Sequence, residues 1–406
     1  MKLLMNQRRV KPVWVGLMLL VLISAGCDKI FGSSDPRESL MEGTVNRTLD
    51  LDWNVEVEGD RLLHAPQLAG DLLMVVANDA LTALDTADGD VVWRFVPPGD
   101  DVRIWGGSMQ VYGDKVFIGT QGGLYFALNA KTGDIVWKVE LGVDTVKAPL
   151  VYQNQFYLIT TRLWPPRVKN HELFADLIHF DPQTGKVVRR WTSENFILTA
   201  IATDGEKIYV GGNYHAPRES DESGHQRIYA LEFLEGDFNV AWTYESSDGN
   251  PKSLFAGDGV LNYLGYEDYI VGLDTRTGES LWRTHTGNWS QGFRVSGRLL
   301  SFSSALSKVV TMDRITGEVI WQHKLPNPQH FGTIIGTPII VDTRAYWVTN
   351  LERVFSVVDF ETGDLRWSAQ TGLSIGSLGE PLMAGDRLYL VGAKGDVWAY
   401  DIVSND

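Results

Sequence analysis

From about residue 49 onward the chain alternates short apolar runs with polar clusters, and one pattern keeps returning. Its type example is Ala83-Leu84-Asp85-Thr86-Ala87-Asp88-Gly89-Asp90-Val91-Val92-Trp93. The apolar run that ends at Leu-Asp predicts a strand. The polar cluster predicts a tight turn whose Gly takes φ > 0, and the second apolar run predicts a return strand closing on Trp. The pattern recurs from Ala127 to Trp137, Gly272 to Trp282, Met312 to Trp321 and Val358 to Trp367. Two copies are degenerate. Phe180-Asp181-Pro182-Gln183-Thr184-Gly185-Lys186 has Arg189 at the Trp position, and Ala230-Leu231-Glu232 reaches Trp242 two residues late. Upstream of most copies lies another apolar run, such as Lys115-Val116-Phe117-Ile118-Gly119 or Lys207-Ile208-Tyr209-Val210-Gly211. Each unit therefore predicts a small antiparallel sheet of about four strands.

The turn glycines 89, 133, 185, 236, 278, 317 and 363 are 39 to 52 residues apart, the period of a propeller blade rather than of a simple hairpin series. Ala399-Tyr400-Asp401 opens one more repeat, but the chain stops at 406 before a closing Trp. Near the start, Leu49-Asp50-Leu51-Asp52-Trp53 is a Trp-ended strand with no turn before it. Paired, these two halves complete one blade and leave no open sheet edge between the chain's ends. The expectation is an all-β chain: one eight-bladed β-propeller of four-stranded blades over 49–406, its ring closed by the N-terminal strand pairing with the last blade.

The repeated tag resembles the PQQ-like propeller repeat over about residues 49–402. That resemblance is specific for fold and weak for function.

The first 27 residues carry an address. Lys2, Arg8, Arg9 and Lys11 precede an apolar run from Val13 to Gly26, which is signal-peptide length and short of the roughly 20 residues of a spanning helix. The run ends Ile23-Ser24-Ala25-Gly26-Cys27, and Cys27 is the chain's single Cys. This resembles the lipobox of bacterial lipoproteins, with Ser24 where Leu is commonest. It implies cleavage before Cys27 and attachment of acyl chains, palmitate among them, there. Residues 1–26 are then a signal peptide and 27–48 a lipidated, flexible tether. Asp28 resembles the inner-membrane retention signal of enteric lipoproteins, so outer and inner membrane both stay open as addresses. With the lipobox and the eight blades, the whole chain is similar to the lipoprotein scaffold subunits of the outer-membrane β-barrel assembly machinery, an outer-membrane address facing the periplasm.

Composition narrows the function classes. The 406 residues are 44% hydrophobic and 21% charged, a globular balance. One Cys excludes a disulfide framework and a Cys-based metal cluster. A net charge of −15 argues against nucleic acid as a partner and against membrane binding through basic surface, leaving the lipid as the anchor.

The tag tryptophans, Trp53, Trp93, Trp137, Trp242, Trp282, Trp321 and Trp367, sit at one repeat position and read as packing between blades. PQQ-dependent dehydrogenases share the repeat, and the resemblance to them would imply a vicinal Cys pair by the cofactor and a Glu/Asn/Asp calcium set. The sequence offers no Cys pair and no calcium-loop run, so no cofactor, metal or catalytic residue is assigned. The eight histidines show no HxH or HExxH spacing. His171, His215 and His225 fall in two loops and read as exposed loop residues, with a metal site as the alternative.

Those two loops are the informative departure from the repeat. Where a regular unit turns in Thr120-Gln121-Gly122-Gly123, the third unit runs from Leu163 to Phe174 and the fourth from Tyr214 to Gln226. The first loop carries Trp164, Arg167, Lys169 and Phe174, side chains enriched at interfaces. The second carries Tyr214, Arg218, Asp221 and Glu222. Equivalent loops of consecutive blades emerge on one face, so these residues form a candidate partner-binding surface; neutral insertion is the alternative.

The function expected is a non-catalytic envelope lipoprotein scaffold, one copy within a hetero-complex. Its protein partners by resemblance are those of β-barrel assembly. The alternatives are a scaffold or sensor lipoprotein of another envelope complex, in secretion or polysaccharide export, and a PQQ-dependent periplasmic dehydrogenase.

Overall fold

The computed structural model describes residues 38–40, 47–58, 65–77, 79–99, 102–104, 106–141, 144–145, 149–162, 174–214, 225–234, 236–246, 249, 251–265, 269–286, 292–304, 308–324, 339–341, 344–349, 354–370, 381–392 and 395–404. Apart from one 3-10 turn at Gly106–Ser108, the regular elements among them are β-strands. Sheets built on four antiparallel strands follow one another as the blades of a β-propeller, with a fifth strand added to two of them, Asp144–Thr145 beside 150–194 and Glu38–Leu40 beside 293–324. Seven are built from strands consecutive in the chain, spanning 67–95, 110–140, 150–194, 196–246, 253–285, 293–324 and 339–370; we number them first to seventh. A further sheet is composite: Leu382–Ala384, Arg387–Val391 and Asp396–Ser404 are joined by Arg47–Glu56 from the other end of the chain. Their register runs from Arg47↔Ser404 to Glu56↔Asp396, with a bulge between Leu51 and Trp53. Arg47–Glu56 starts two residues before 49, and Glu38–Leu40 is also a strand, so the span read as a tether holds regular structure.

The second and third strands of the first and second sheets carry continuous apolar runs because both of their faces are covered. Leu73, Met74, Val75 and Val76 are all buried, and so are Val116, Phe117 and Ile118. Alternate residues enter the clusters on either side. Val75 and Leu84 pack with Tyr389 and Val397 of the composite sheet, while Met74 and Leu81 pack with Val116 and Phe126 of the second. Comparable clusters fill each successive junction from the second sheet to the composite one. The fourth strands are half-exposed and display Val91, Val92, Ile135 and Val136.

The tag is a latch between neighbouring sheets. Its Asp accepts from the turn's backbone: Ala87 N–H to Asp85 Oδ1 at 2.8 Å, Arg276 to Asp274 at 2.7 Å and Glu361 to Asp359 at 3.0 Å. The turn glycines 89, 133, 185, 236, 278, 317 and 363 all have φ between 70° and 91°. Onto that turn comes the indole of the preceding sheet, whose Nε1–H donates to the carbonyl of the turn's second residue or, at Ile315, its third. Trp53 reaches Thr86, Trp93 Ala130, Trp137 Pro182, Trp242 Thr275, Trp282 Ile315 and Trp321 Phe360, at 2.9–3.1 Å. Trp367 packs with Leu388, Leu390 and Tyr400 of the composite sheet. A Cβ on Gly133 would stand 2.7 Å from Trp93, so the turn needs Gly twice over, for its φ and for the ring above it.

Both degenerate tags have a physical account. Trp242 pairs with Ala230 as Trp137 pairs with Ala127; its two extra residues lengthen the hairpin, adding Glu232↔Asn239, Phe233↔Phe238 and Leu234↔Asp237. At the third sheet Arg189 stands opposite His179 and takes the latch position. Its Nε–H donates to Gly236 O at 2.5 Å and its guanidinium lies 4.1 Å from the centre of the Phe233 ring.

Candidate functional site

The third and fourth sheets have longer middle hairpins than their neighbours. In the second sheet the pairing of second and third strands ends at Gly119↔Tyr125. In the third, strands Gln155–Arg162 and Phe174–Phe180 pair as far as Arg162↔Phe174, and in the fourth Lys207–Tyr214 and Gln226–Leu234 pair as far as Asn213↔Gln226. The register carries both ends to one place. Phe174 pairs with Glu194, the chain turns at Asn195 (φ 55°), and Phe196 pairs with Tyr214. The two long connections therefore leave adjacent sheets at the same end.

Phe174 and Tyr214, read from the sequence as loop residues, are strand ends. Phe174 is held between Arg162 and Glu194, and Tyr214 donates its backbone N–H to His225 O at 2.7 Å. The remaining loop candidates, Trp164, Arg167, Lys169, Arg218, Asp221 and Glu222, lie outside the described residues, as do Cys27, His171 and His215. His225 is half-buried at the foot of its loop.

Charged and aromatic groups brace the two roots. The buried Asp176 accepts from Arg190 Nη1 at 3.0 Å and from Thr192 Oγ1 at 2.6 Å, a carboxylate shared between a guanidinium and a hydroxyl on the next strand. Arg227 donates to Glu245 at 2.7 Å and lays its guanidinium 3.8 Å from the centre of the Tyr214 ring. Trp191 and Phe196 meet Tyr229 edge-on at 5.2 and 5.3 Å, sealing the junction beneath. Asp176, Arg190, Trp191 and Arg227 escape the sequence reading because none sits at a tag position; the one available signal is Trp191, two residues beyond the missing tag Trp. His179, deeper in the third sheet, is stacked on Tyr157 at 4.8 Å and hydrogen-bonded to Gln155 at 2.6 Å. Burial, and then the charge of Arg189, holds its imidazole below the ordinary histidine pKa.

Such a site presents rings, a guanidinium and carboxylates on a rigid double root, the chemistry of recognition. Among the described residues no group of three or more His, Cys, Asp or Glu side chains converges to hold a metal ion.

The profile of the family described as outer membrane protein assembly factor BamB matches residues 48–111, 82–170 and 266–404, more than half of the chain. Two relatives of that same description are 24% identical over 336 residues (Shewanella oneidensis, 77% of this chain and 78% of that protein) and 22% identical over 426 (Yersinia pestis, 96% and 98%). A quinohemoprotein alcohol dehydrogenase of Pseudomonas putida is 24% identical over 302 residues, which span 71% of this chain and 36% of the enzyme. Among solved structures, BamB from Moraxella catarrhalis aligns over 87% of this chain and 100% of its own at a TM-score of 0.60 and 18% identity, a likeness of fold.

Proposed function

Because the chain belongs to the family described as outer membrane protein assembly factor BamB, we propose that it is a scaffold in the assembly of outer-membrane β-barrel proteins. It acts by binding proteins at the loop-bearing end of the third and fourth sheets. One observation carries the docking surface: the registers at Arg162↔Phe174 and Phe196↔Tyr214 bring two enlarged connections to one end of adjacent sheets, on braced roots. The first connection supplies Trp164, Arg167 and Lys169, and the second Arg218, Asp221 and Glu222; mixed charge with aromatics suits a protein partner. In this reading the composite sheet is the eighth blade and closes the ring. Acyl chains on Cys27 hold the protein at the outer membrane, facing the periplasm, as one copy in a hetero-complex. The likeness to outer membrane protein assembly factors favours that membrane over the inner one suggested by Asp28.

A second reading, a quinone-dependent dehydrogenase, has the Pseudomonas putida relative behind it. Calcium beside a quinone needs a cluster of oxygen donors. The described residues do not bring one together, and Cys27 is the chain's single Cys, so we derive no chemistry through that group.

The test is co-purification. Tagged full-length protein is extracted from envelopes in mild detergent and its companions are identified by mass spectrometry, beside a variant with 163–173 shortened. Barrel-assembly subunits captured by the parent and lost from the variant support both the role and the surface. A different envelope complex would overturn the role, and capture unchanged by the deletion would overturn the surface. Absorbance of a bound quinone in the purified protein would restore the dehydrogenase.

A further inference from the structure

Six tag turns receive an indole from the preceding sheet; the fourth sheet's turn receives a guanidinium. The difference is visible at the glycines. A Cβ added at Gly89, Gly133, Gly185, Gly278, Gly317 or Gly363 would stand 2.4–2.7 Å from side-chain atoms covering the turn, whereas one at Gly236 meets nothing within 4 Å. The register of the hairpin carrying Gly236 also runs three pairs further than in the outer hairpins of the other sheets, through Glu232↔Asn239, Phe233↔Phe238 and Leu234↔Asp237, and its tip exposes Phe233 and Leu234 at 47% and 49%. The turn aspartate that accepts from the backbone elsewhere is Glu232 here.

The root of the same hairpin is pinned from both sides. Trp242 donates to Thr275 of the fifth sheet, and Tyr229 takes the edge of Trp191 from the third. Between root and tip, the hairpin meets the third sheet through Arg189 on Phe233 and Gly236, through Phe238 against Tyr157 at 6.5 Å, and through Leu231 and Phe238 in a core cluster with Ile159, Ala175 and Leu177. An indole could not simply stand in for Arg189. The other tag tryptophans pair with Ala399, Ala83, Ala127, Ala230, Gly272, Thr311 and Val357, all small or β-branched, whereas Arg189 pairs with His179, which Gln155 and Tyr157 fix in place.

We propose that the tip of the outer hairpin of the fourth sheet, Phe233–Leu234 and Gly236–Phe238, which extends past the pairing of Glu232 with Lys207, is a latched flap. It swings away from the third sheet about its pinned root while the rest of both sheets stays folded, with Arg189 as the latch. Opening breaks the Arg189 hydrogen bond and cation–π contact, separates Phe238 from Tyr157 and withdraws Phe238 from the edge of the core cluster it shares with Ile159, Leu177 and Leu231, which stays behind. It presents Phe233, Leu234 and Phe238 together as an apolar edge, at the end of the sheet opposite the long connections.

Hydrogen exchange of the full-length protein tests this. Amides of Phe233, Leu234 and Gly236–Phe238 should exchange about tenfold or more faster than those of the equivalent hairpins 84–92, 128–136 and 313–320. Their exchange should be nearly insensitive to low urea, the mark of a local opening, whereas the others should respond with the slope of global unfolding. Arg189→Ala should speed exchange in this hairpin alone, and His179→Ala with Arg189→Trp should slow it towards its neighbours. Equal protection of all four hairpins, or a common urea slope, would overturn the flap, and both are read on the unmodified chain should the tryptophan variant fail to fold.

Discussion

At the scale of single residues, the junctions rest on pairs of Trp and Gly that constrain each other. Gly133→Ala has to accommodate φ 75° and a Cβ 2.7 Å from the Trp93 ring, so it should cost about 2–4 kcal/mol. Gly236→Ala faces φ 91° with open space above it and should cost about 1 kcal/mol. Urea unfolding of the two variants side by side checks the contrast; equal losses would mean that the ring above Gly133 is irrelevant. The turn aspartates add a pH dependence. The hydrogen bond from Arg366, at 2.5 Å, holds Asp359 below the ordinary carboxylate range, and the Thr184 hydroxyl does the same to Asp181. Unfolded aspartates bind protons first, so this stability is full above a pH of about 4 and is lost as pH falls through the folded values. The unfolding temperature should hold from neutral pH down to about 5 and then drop, with Asp359→Asn shallower in the acid limb, as scanning calorimetry across pH would show.

At the scale of elements, the long middle hairpins of the third and fourth sheets depend on the braces at their roots. Asp176→Asn leaves Arg190 facing a neutral amide and should cost about 2 kcal/mol, measured by chemical denaturation, more than the same change at the exposed Asp88. The hairpins themselves were legible in the sequence, because the tag couples a fixed turn chemistry to a fixed register: Ala83, Ala127 and Ala230 each face a Trp across a bulge. The enlarged connections were legible as interruptions of that beat. Their braces were not, since Asp176 and Arg190 occupy strand positions where other sheets carry unrelated residues, and only the pairing of Asp176 with Thr192 brings the charges together. Strand limits at Phe174 and Tyr214 escaped for a similar reason: cross-strand pairing extends order beyond the repeat, and a single sequence carries no mark of it. The Arg189 latch was visible only as a missing Trp; what replaced the indole needed the geometry of Gly236.

At the scale of the whole molecule, the composite sheet joins distant parts of the chain. Arg387 gathers its pieces, donating to Thr86 O of the first sheet at 2.9 Å and pairing with Asp52 of the N-terminal strand. Trp53, buried on the Gly89 turn, makes the matching latch. Removing residues 47–56 uncovers the edge of Asp396–Ser404 and strips the first sheet of its indole. Such a truncation should lower the unfolding temperature by several degrees and produce aggregates in size-exclusion chromatography; a monomer of unchanged stability would show that the strand contributes nothing.

The pairing of Arg47–Glu56 with Asp396–Ser404 also sets a clock. About 340 residues lie between the two strands, so the first waits for its partner until all of them have been made. At ribosomal rates that is a wait on the order of tens of seconds. Throughout it, a strand whose alternate residues Leu49, Leu51, Trp53 and Val55 are apolar keeps its hydrogen-bonding edges unpaired. The composite sheet is thus completed long after its first strand is made, and the Trp53 latch on the Gly89 turn gains its backing only then.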